Sequence, residues 1–387
     1  MRLFSVPADF QESTIDKYHE LNSRYENAKV EETYGQITGG LLTGSGRGSC
    51  KLPNANLTSL AHYISYSADR GIEFNYTFNA SCLGNIEFTK SGFESVNHFL
   101  GSLWDAGVRR LTVTLPQLIL LVQDSGYPFE IKLSTICQVN SPDKAAFWKR
   151  QGIDRIVIDE DITRDFRRIR QISQIVGDGV EIIANSACLK NCPYKMFHYN
   201  HESHFPIVNQ DEQKFYERRC FLNKADDWTN PIRLNWIRPE DLGYYESVGV
   251  RRFKIQGRQA VLEGDPLRTV EAYMRGSYSG DLFGLINMFM PYIAKNTYQP
   301  YVDNSKLEGF IAPFYNDPNH CTGDCDKCGY CEAFAELSID RASAEEMRMR
   351  TLKNMGSYQF FSACRNKVPS QTFARRVMQK ARKVIGV

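Results

Sequence analysis

Cysteine and histidine concentrate in one stretch, ACLKNCPYKMFHYNHESH, which runs from Ala187 to His204. Cys188 and Cys192 are separated by three residues, and Pro193 follows the second. His198, His201 and His204 come next at a spacing of three, and Cys220 closes the charged segment KFYERRC. Thiolates this close, just past the apolar run Val180–Ala184, suit a metal ion or an iron–sulfur cluster. The plainer alternative is a pair of buried cysteines acting as small hydrophobes beside surface histidines.

A second cluster lies at His320–Cys331, HCTGDCDKCGYC, with Cys321, Cys325, Cys328 and Cys331. Four cysteines in so short a run rarely pack together as core hydrophobes, so a bound metal is expected. Cys321–Cys328 fits CxxxCxxC, the pattern of radical S-adenosylmethionine enzymes. Two features weigh against that reading: the run lies behind the predicted strands, and Lys327 stands where an aromatic residue is usual. An auxiliary four-cysteine cluster or a structural zinc fits better.

Hydrolytic motifs are missing. HESH matches half of a zinc-protease HExxH, but Phe205 stands in place of the second histidine, and no GxSxG occurs. Three arginines are candidates for binding an anionic substrate. Arg47 sits in the glycine-rich loop Gly44–Cys50, which either cradles an anion on backbone N–H groups or is a plain turn. Arg258 ends FKIQGR and either grips a carboxylate bidentately or pairs with Asp159, Glu160 or Asp161. Arg238, in IRPEDL with Glu240, carries the same two readings.

The elements that must position these residues alternate regularly. Strands are predicted at Leu3–Val6, Tyr34–Thr43, Ile72–Phe78, Arg110–Val113, Glu130–Ser134, Arg155–Ile158, Val180–Ala184 and Phe253–Ile255, with Ile232–Ile237 extended. Helical patterns fall between them, among them Ile15–Ala28, Leu57–Arg70, Phe93–Ala106 and Ile162–Ile175. Such alternation predicts an α/β fold, a TIM-like (β/α)8 barrel with a cysteine-rich C-terminal extension; a doubly wound open sheet is the alternative. The expected division is residues 1–285 as barrel and 286–387 as extension and helical tail. Cys50, Cys82, Cys137 and Cys188 each lie just past a predicted strand, so a barrel would bring them to the face where active sites form. The tail Ala374–Val387 is basic, with one apolar stripe.

Composition narrows the class without naming a partner. Of 387 residues, 42% are hydrophobic and 24% charged, and the net charge is +2, which gives no argument for nucleic acid. The N-terminus lacks a signal-peptide core and the longest apolar stretch is broken by Pro116, so a cytoplasmic protein without a membrane span is expected. Eleven cysteines, an odd number, argue against a disulfide framework and for ligands.

The pieces FNASCLGN, ACLKNCPYKMFHYN, NWIRPEDLGYYESVGVRRFKIQGR and CDKCGYC resemble the peptidase U32 (collagenase-like) family, in particular its iron–sulfur branch, between Tyr34 and Cys331. The resemblance implies a TIM-like barrel and an oxygen-sensitive 4Fe-4S cluster on four cysteines. It also implies oxygen-independent hydroxylation of a ubiquinone precursor or of RNA bases, with prephenate as oxygen donor. Carried over residue by residue, it puts Cys188, Cys192 and Cys220 on the cluster. Cys82 is the choice for the fourth ligand, because NASCLGN belongs to the matched motif; Cys50 and Cys137 stay open. His198 and His201 would bond cluster sulfurs or move protons, or else lie on a helix surface. The expected function is an iron–sulfur oxidoreductase acting on a small molecule, peptide or nucleobase. One or two 4Fe-4S clusters are expected, with zinc as the other occupant of the C-terminal cysteines, and a related subunit or electron donor as partner. A peptidase, a non-catalytic iron–sulfur scaffold or electron-transfer subunit, and a radical S-adenosylmethionine enzyme are the alternatives.

Overall fold

The computed structural model describes residues 1–38, 52–208, 215–288 and 297–356. The chain opens with β1 (Arg2–Pro7), α1 (Glu12–Arg24), β2 (Ala28–Gly35), α2 (Leu57–Ala68), β3 (Glu73–Phe78) and α3 (Lys90–Asp105). It continues through β4 (Arg110–Val113), α4 (Pro116–Asp124), β5 (Glu130–Leu133), α5 (Pro142–Arg150), β6 (Arg155–Val157), α6 (Phe166–Val176) and β7 (Val180–Ile183). Then come β8 (Asn185–Leu189), α7 (Lys195–Val208), α8 (Phe215–Lys224), α9 (Asn230–Arg233), β9 (Leu234–Trp236), α10 (Leu242–Glu246), β10 (Arg252–Lys254) and α11 (Pro266–Arg275). Eight parallel strands close a barrel in the order β1-β10-β7-β6-β5-β4-β3-β2. This is the expected TIM-like architecture.

Local sequence explains the elements. VEII of β7 is buried throughout, as a strand covered on both faces must be. In α6, Phe166, Ile169, Ile172 and Val176 recur at helical spacing and are buried, while Asp165 caps the helix by accepting from the Arg168 N–H. α2 starts with a reciprocal capping box between Asn56 and Ser59.

Two boundaries differ from the sequence reading. The second strand begins at Ala28, where Ala28 and Val30 alternate into the core, and ends at Gly35. The rest of the predicted Tyr34–Thr43 strand falls largely outside the described residues, as do the glycine-rich loop with Arg47 and Cys50 and the tail Ala374–Val387. The stretch read as extended, Ile232–Ile237, is helical as far as Arg233 and then forms β9, which pairs antiparallel with β8, Leu234 opposite Leu189 and Trp236 opposite Asn185, in a small sheet of its own. The cysteine stretch therefore belongs to an insertion between the last two barrel strands.

The barrel interior carries charge. Lys132 on β5 bonds Glu32 on β2 and, at 2.5 Å, Glu181 on β7, and all three are almost wholly buried. Ser5 donates to Glu32, and Arg155 lies 3.5 Å from it. The extension packs on the same apolar cluster as the barrel, through Leu307, Phe310, Ile311, Phe314 and Ala335. Among the described residues no helix is long and apolar enough to cross a membrane.

Candidate active site at the barrel mouth

Three cysteines converge on one cavity. Cys188 lies on β8, Cys192 in the turn before α7, and Cys220 midway along α8. All three line a space of about 540 Å³, with Lys195, His198 and Tyr199 of α7 and with Gln256 and Gly257 beyond β10. Beneath it, the acidic run after β6 is organised round a lysine that the sequence reading did not single out. Lys195 Nζ stands 2.6 Å from Asp161, 3.4 Å from Asp159 and 3.5 Å from Glu160. Burial works against its charge, but Glu160, Asp159 and Asp161 outweigh burial and hold its pKa well above the ordinary value. Ser186 and Tyr199 both donate to Glu160, at 2.5 and 3.3 Å.

The cysteine environment fits a metal better than a free thiol nucleophile. Burial, with Glu160 and Cys220 beside it, pushes the Cys188 thiol well above its ordinary pKa, and burial also raises Cys192. A thiol so placed is a poor nucleophile, whereas a bound thiophilic cation supplies the charge that makes it a thiolate. Among the described residues, no three His, Cys, Asp or Glu side chains close round a single ion as they stand. The fit to a cluster rests on three sulfurs sharing one cavity.

A second pocket, about 70 Å³, occupies the centre of the barrel mouth. Tyr34, Thr77, Thr112 and Ser134 line it from β2, β3, β4 and the end of β5, together with two cations, Lys254 and Arg258. Among the described residues its lining includes no carboxylate. Arg258 is aimed by Gln36, by Thr77 Oγ1 at 2.5 Å and by Asn79 Oδ1 at 3.4 Å, all of which accept from it. Gly257 makes that turn at φ 131°, where any other residue would be strained and would crowd Met288. Lys254 Nζ stacks over the Tyr34 ring and lies 4.0 Å from Glu181. Tyr199, Gln256 and Gly257 line both spaces, so the cysteine cavity and the cationic pocket share a wall. Lys254 was missed in the sequence. A lysine flanked by Phe253 and Ile255 in a strand is the signal that marks it.

The remaining predicted residues are placed as follows. His198 lines the cysteine cavity, 3.7 Å from Glu202 and stacked near Tyr216. His201 also packs on Tyr216 but is not among the residues lining the cavity. Cys82 does not line it either: its sulfur accepts from the Gly84 N–H, and the preceding Ser81 bonds Ser203 on α7. Cys137 donates to the Thr114 carbonyl at 3.2 Å, and burial pushes its pKa up to about 12. Of the two readings given for Arg238, its contacts follow the ion pair. It lines neither space; its guanidinium bonds Asn304 at 2.9 Å, the Leu307 carbonyl and Glu240, which fastens the extension to the barrel. Cys321, Cys325, Cys328 and Cys331 line one small pocket of their own.

Comparison with known proteins places these features in context. Residues 43–186 match the model of peptidase family U32. An uncharacterised protease of Methanocaldococcus jannaschii is 30% identical over 341 residues, spanning 87% of this chain and 99% of that protein. Among solved structures, the U32 peptidase Mk0906 is similar over 66% of this chain and 94% of its own, at 16% identity and a TM-score of 0.46. A D-psicose 3-epimerase of Clostridium cellulolyticum H10 aligns over 75% of this chain and 96% of its own, at 10% identity and a TM-score of 0.35.

Proposed function

The chain belongs to peptidase family U32, and we propose that it is a cytoplasmic iron–sulfur-dependent oxidoreductase whose substrate is a small anion. The observation that carries this reading is the meeting of Cys188, Cys192 and Cys220 on one cavity that shares a wall with the cationic barrel mouth. Those three thiolates would hold a 4Fe-4S cluster and leave one iron without a cysteine ligand; Cys82 stands apart from them. A cluster bound there supplies one-electron chemistry or an open iron for activating an oxygen donor, as in oxygen-independent hydroxylation.

The chain's own residues account for binding and orientation. Lys254 and Arg258 neutralise an anionic group, with the guanidinium fixed in advance by Gln36, Thr77 and Asn79. Tyr199, held by Glu160, stands at the shared wall, where its hydroxyl can hold or pass a proton between the two spaces. His198 offers a second proton-carrying group on the cysteine side. The barrel mouth would receive the anionic group of a small molecule; a peptide or an RNA base would have to enter end-on, and electrons would come from a donor protein.

The second reading is a peptidase, supported by the family's name and by the relative named as a protease. The raised thiol of Cys188 argues against a cysteine nucleophile there. Anaerobic purification with iron and sulfide analysis separates the readings. Iron that falls by about four per chain in Cys220→Ala supports the oxidoreductase. Iron-free wild type that cleaves casein or gelatin would establish the peptidase instead.

A further inference from the structure

The C-terminal cysteines form a group that the proposed chemistry does not use. Cys325 and Cys328 lie three residues apart on one helical turn, Cys325–Cys328. Gly329, at φ 64°, then turns the chain so that Cys331 falls in the first turn of the next helix, Tyr330–Ser338. Cys321 completes the lining of a single small pocket. Three of these thiols are exposed and the fourth is half-buried.

Other side chains in this pocket also point to a ligand. His320 Nε2 is buried and has no hydrogen-bond partner among the described residues, although its ring is wedged edge-on against Tyr330 and Phe314. Leaving such a nitrogen unbonded is costly, and a sulfur acceptor in the pocket would relieve that cost. Positive charge gathers on the barrel side. Lys190 Nζ lies 3.5 Å from Cys321 Sγ, and Arg164 and Arg233 are within electrostatic reach of Cys331. Of the carboxylates at the pocket, Asp324 is paired with Lys327 at 2.8 Å, and Glu332 lies on its rim. Cations of this kind match the net negative charge of a four-thiolate centre.

We propose that Cys321, Cys325, Cys328 and Cys331 hold a second metal centre, an iron–sulfur cluster that pins this segment to the cysteine loop of the barrel. Spacing decides between a cluster and zinc. A tetrahedral zinc site draws its cysteines as pairs from two separated segments. Here all four come from one run, C-x3-C-x2-C-x2-C; three sulfurs at x2 spacing is how a chain wraps a four-iron cluster, and Cys321, lining the same pocket, would supply the fourth thiolate. Lys190 lies between Cys188 and Cys192, so its contact with Cys321 sets the second centre beside the first. The assignment stands independently of the barrel reading.

The test counts iron, acid-labile sulfide and zinc in anaerobically purified full-length protein, comparing wild type with Cys325→Ser/Cys328→Ser and with Cys188→Ser/Cys192→Ser. The first double variant is expected to lose about four irons with matching sulfide and to keep the remainder. Wild-type iron in that variant, or loss of zinc in place of iron, overturns the proposal. Loss confined to the first variant would sink the barrel cluster and leave this one intact. A measurement on the wild type covers the case in which the variant does not fold. Exposed thiols react at once with iodoacetamide unless a metal holds them. The peptide containing Cys321–Cys331 should be protected in the native protein and labelled after chelation; free labelling from the start overturns the assignment.

Discussion

Lys254 Nζ stands 3.7 Å from the centre of the Tyr34 ring, and the hydroxyl of the same tyrosine donates to the Ile255 carbonyl at 2.7 Å. The phenol thus holds the last barrel strand by its backbone while its face receives the ammonium that strand carries. Aromatic contact offsets only part of the cost of burying the charge. Burial pulls the Lys254 pKa from 10.5 down to about 8, against the opposing pull of Glu181. The folded protein therefore releases this proton before the unfolded chain does. Stability should rise between about pH 8 and pH 10.5, by on the order of 3 kcal/mol from this group. Urea unfolding at pH 7.5 and pH 10 measures it, and Lys254→Met should remove the rise. An unchanged pH dependence in that variant would refute the assignment.

Lys132 is expected to be indispensable to the barrel. Burial alone would raise the Glu32 pKa, but Lys132 and Arg155 overcome it and hold the carboxyl at about 2. Lys132→Met would leave Glu32 and Glu181 facing each other without the ammonium, at a cost of about 3–5 kcal/mol at neutral pH. In the wild type, the part of stability owed to Glu32 is full above about pH 4.5 and fades as pH falls toward 2. Chemical denaturation of both proteins at pH 7 is the measurement; equal midpoints would contradict the network.

The cysteines at the strand ends should separate by function. Cys137 already donates to Thr114, and the Cys82 sulfur accepts from its own loop. Cys137→Ala and Cys82→Ala are expected to keep wild-type iron, whereas Cys188→Ala and Cys192→Ala should each lose about four irons per chain. Iron lost from Cys82→Ala would restore Cys82 as the fourth ligand.

Arg238→Ala tests a structural rather than a substrate role. The guanidinium ties Asn304 and Leu307 to the barrel, so its loss should cost about 2–4 kcal/mol. Limited proteolysis should then cut sooner near residues 300–310, with iron content unchanged. Full stability with weakened anion binding would return Arg238 to the substrate site.

Much of the architecture could be read from the sequence because parallel strands covered on both faces leave short apolar runs, as IVI at Ile156–Ile158 and IIA at Ile182–Ala184 do. The convergence of Cys188, Cys192 and Cys220 was legible only as proximity in sequence plus family resemblance. LNW falls within the stretch read as extended, but its antiparallel partner β8 lies outside the barrel, and nothing local to LNW records that pairing. The buried triad of Glu32, Lys132 and Glu181 escaped for a similar reason: its members lie on three separate strands, and only closure of the barrel brings them together. Arg238 looked like Arg258 in the sequence. What distinguishes them is the neighbour each one meets, Asn304 in one case and Thr77 in the other.

The insertion between β7 and β10 has a consequence for the order of assembly. Leu3 pairs with Arg252, and Arg252 with Glu181, so one edge of β1 waits for β10, the last barrel strand in chain order. Everything that carries Cys188, Cys192 and Cys220 is synthesised during that wait. Long-range pairings of this kind form slowly. The nascent chain therefore exposes Cys188, Cys192 and Cys220 before the barrel can close beneath them, and under the proposed function the timing of metal delivery, as well as affinity, would set how much loaded protein a cell obtains.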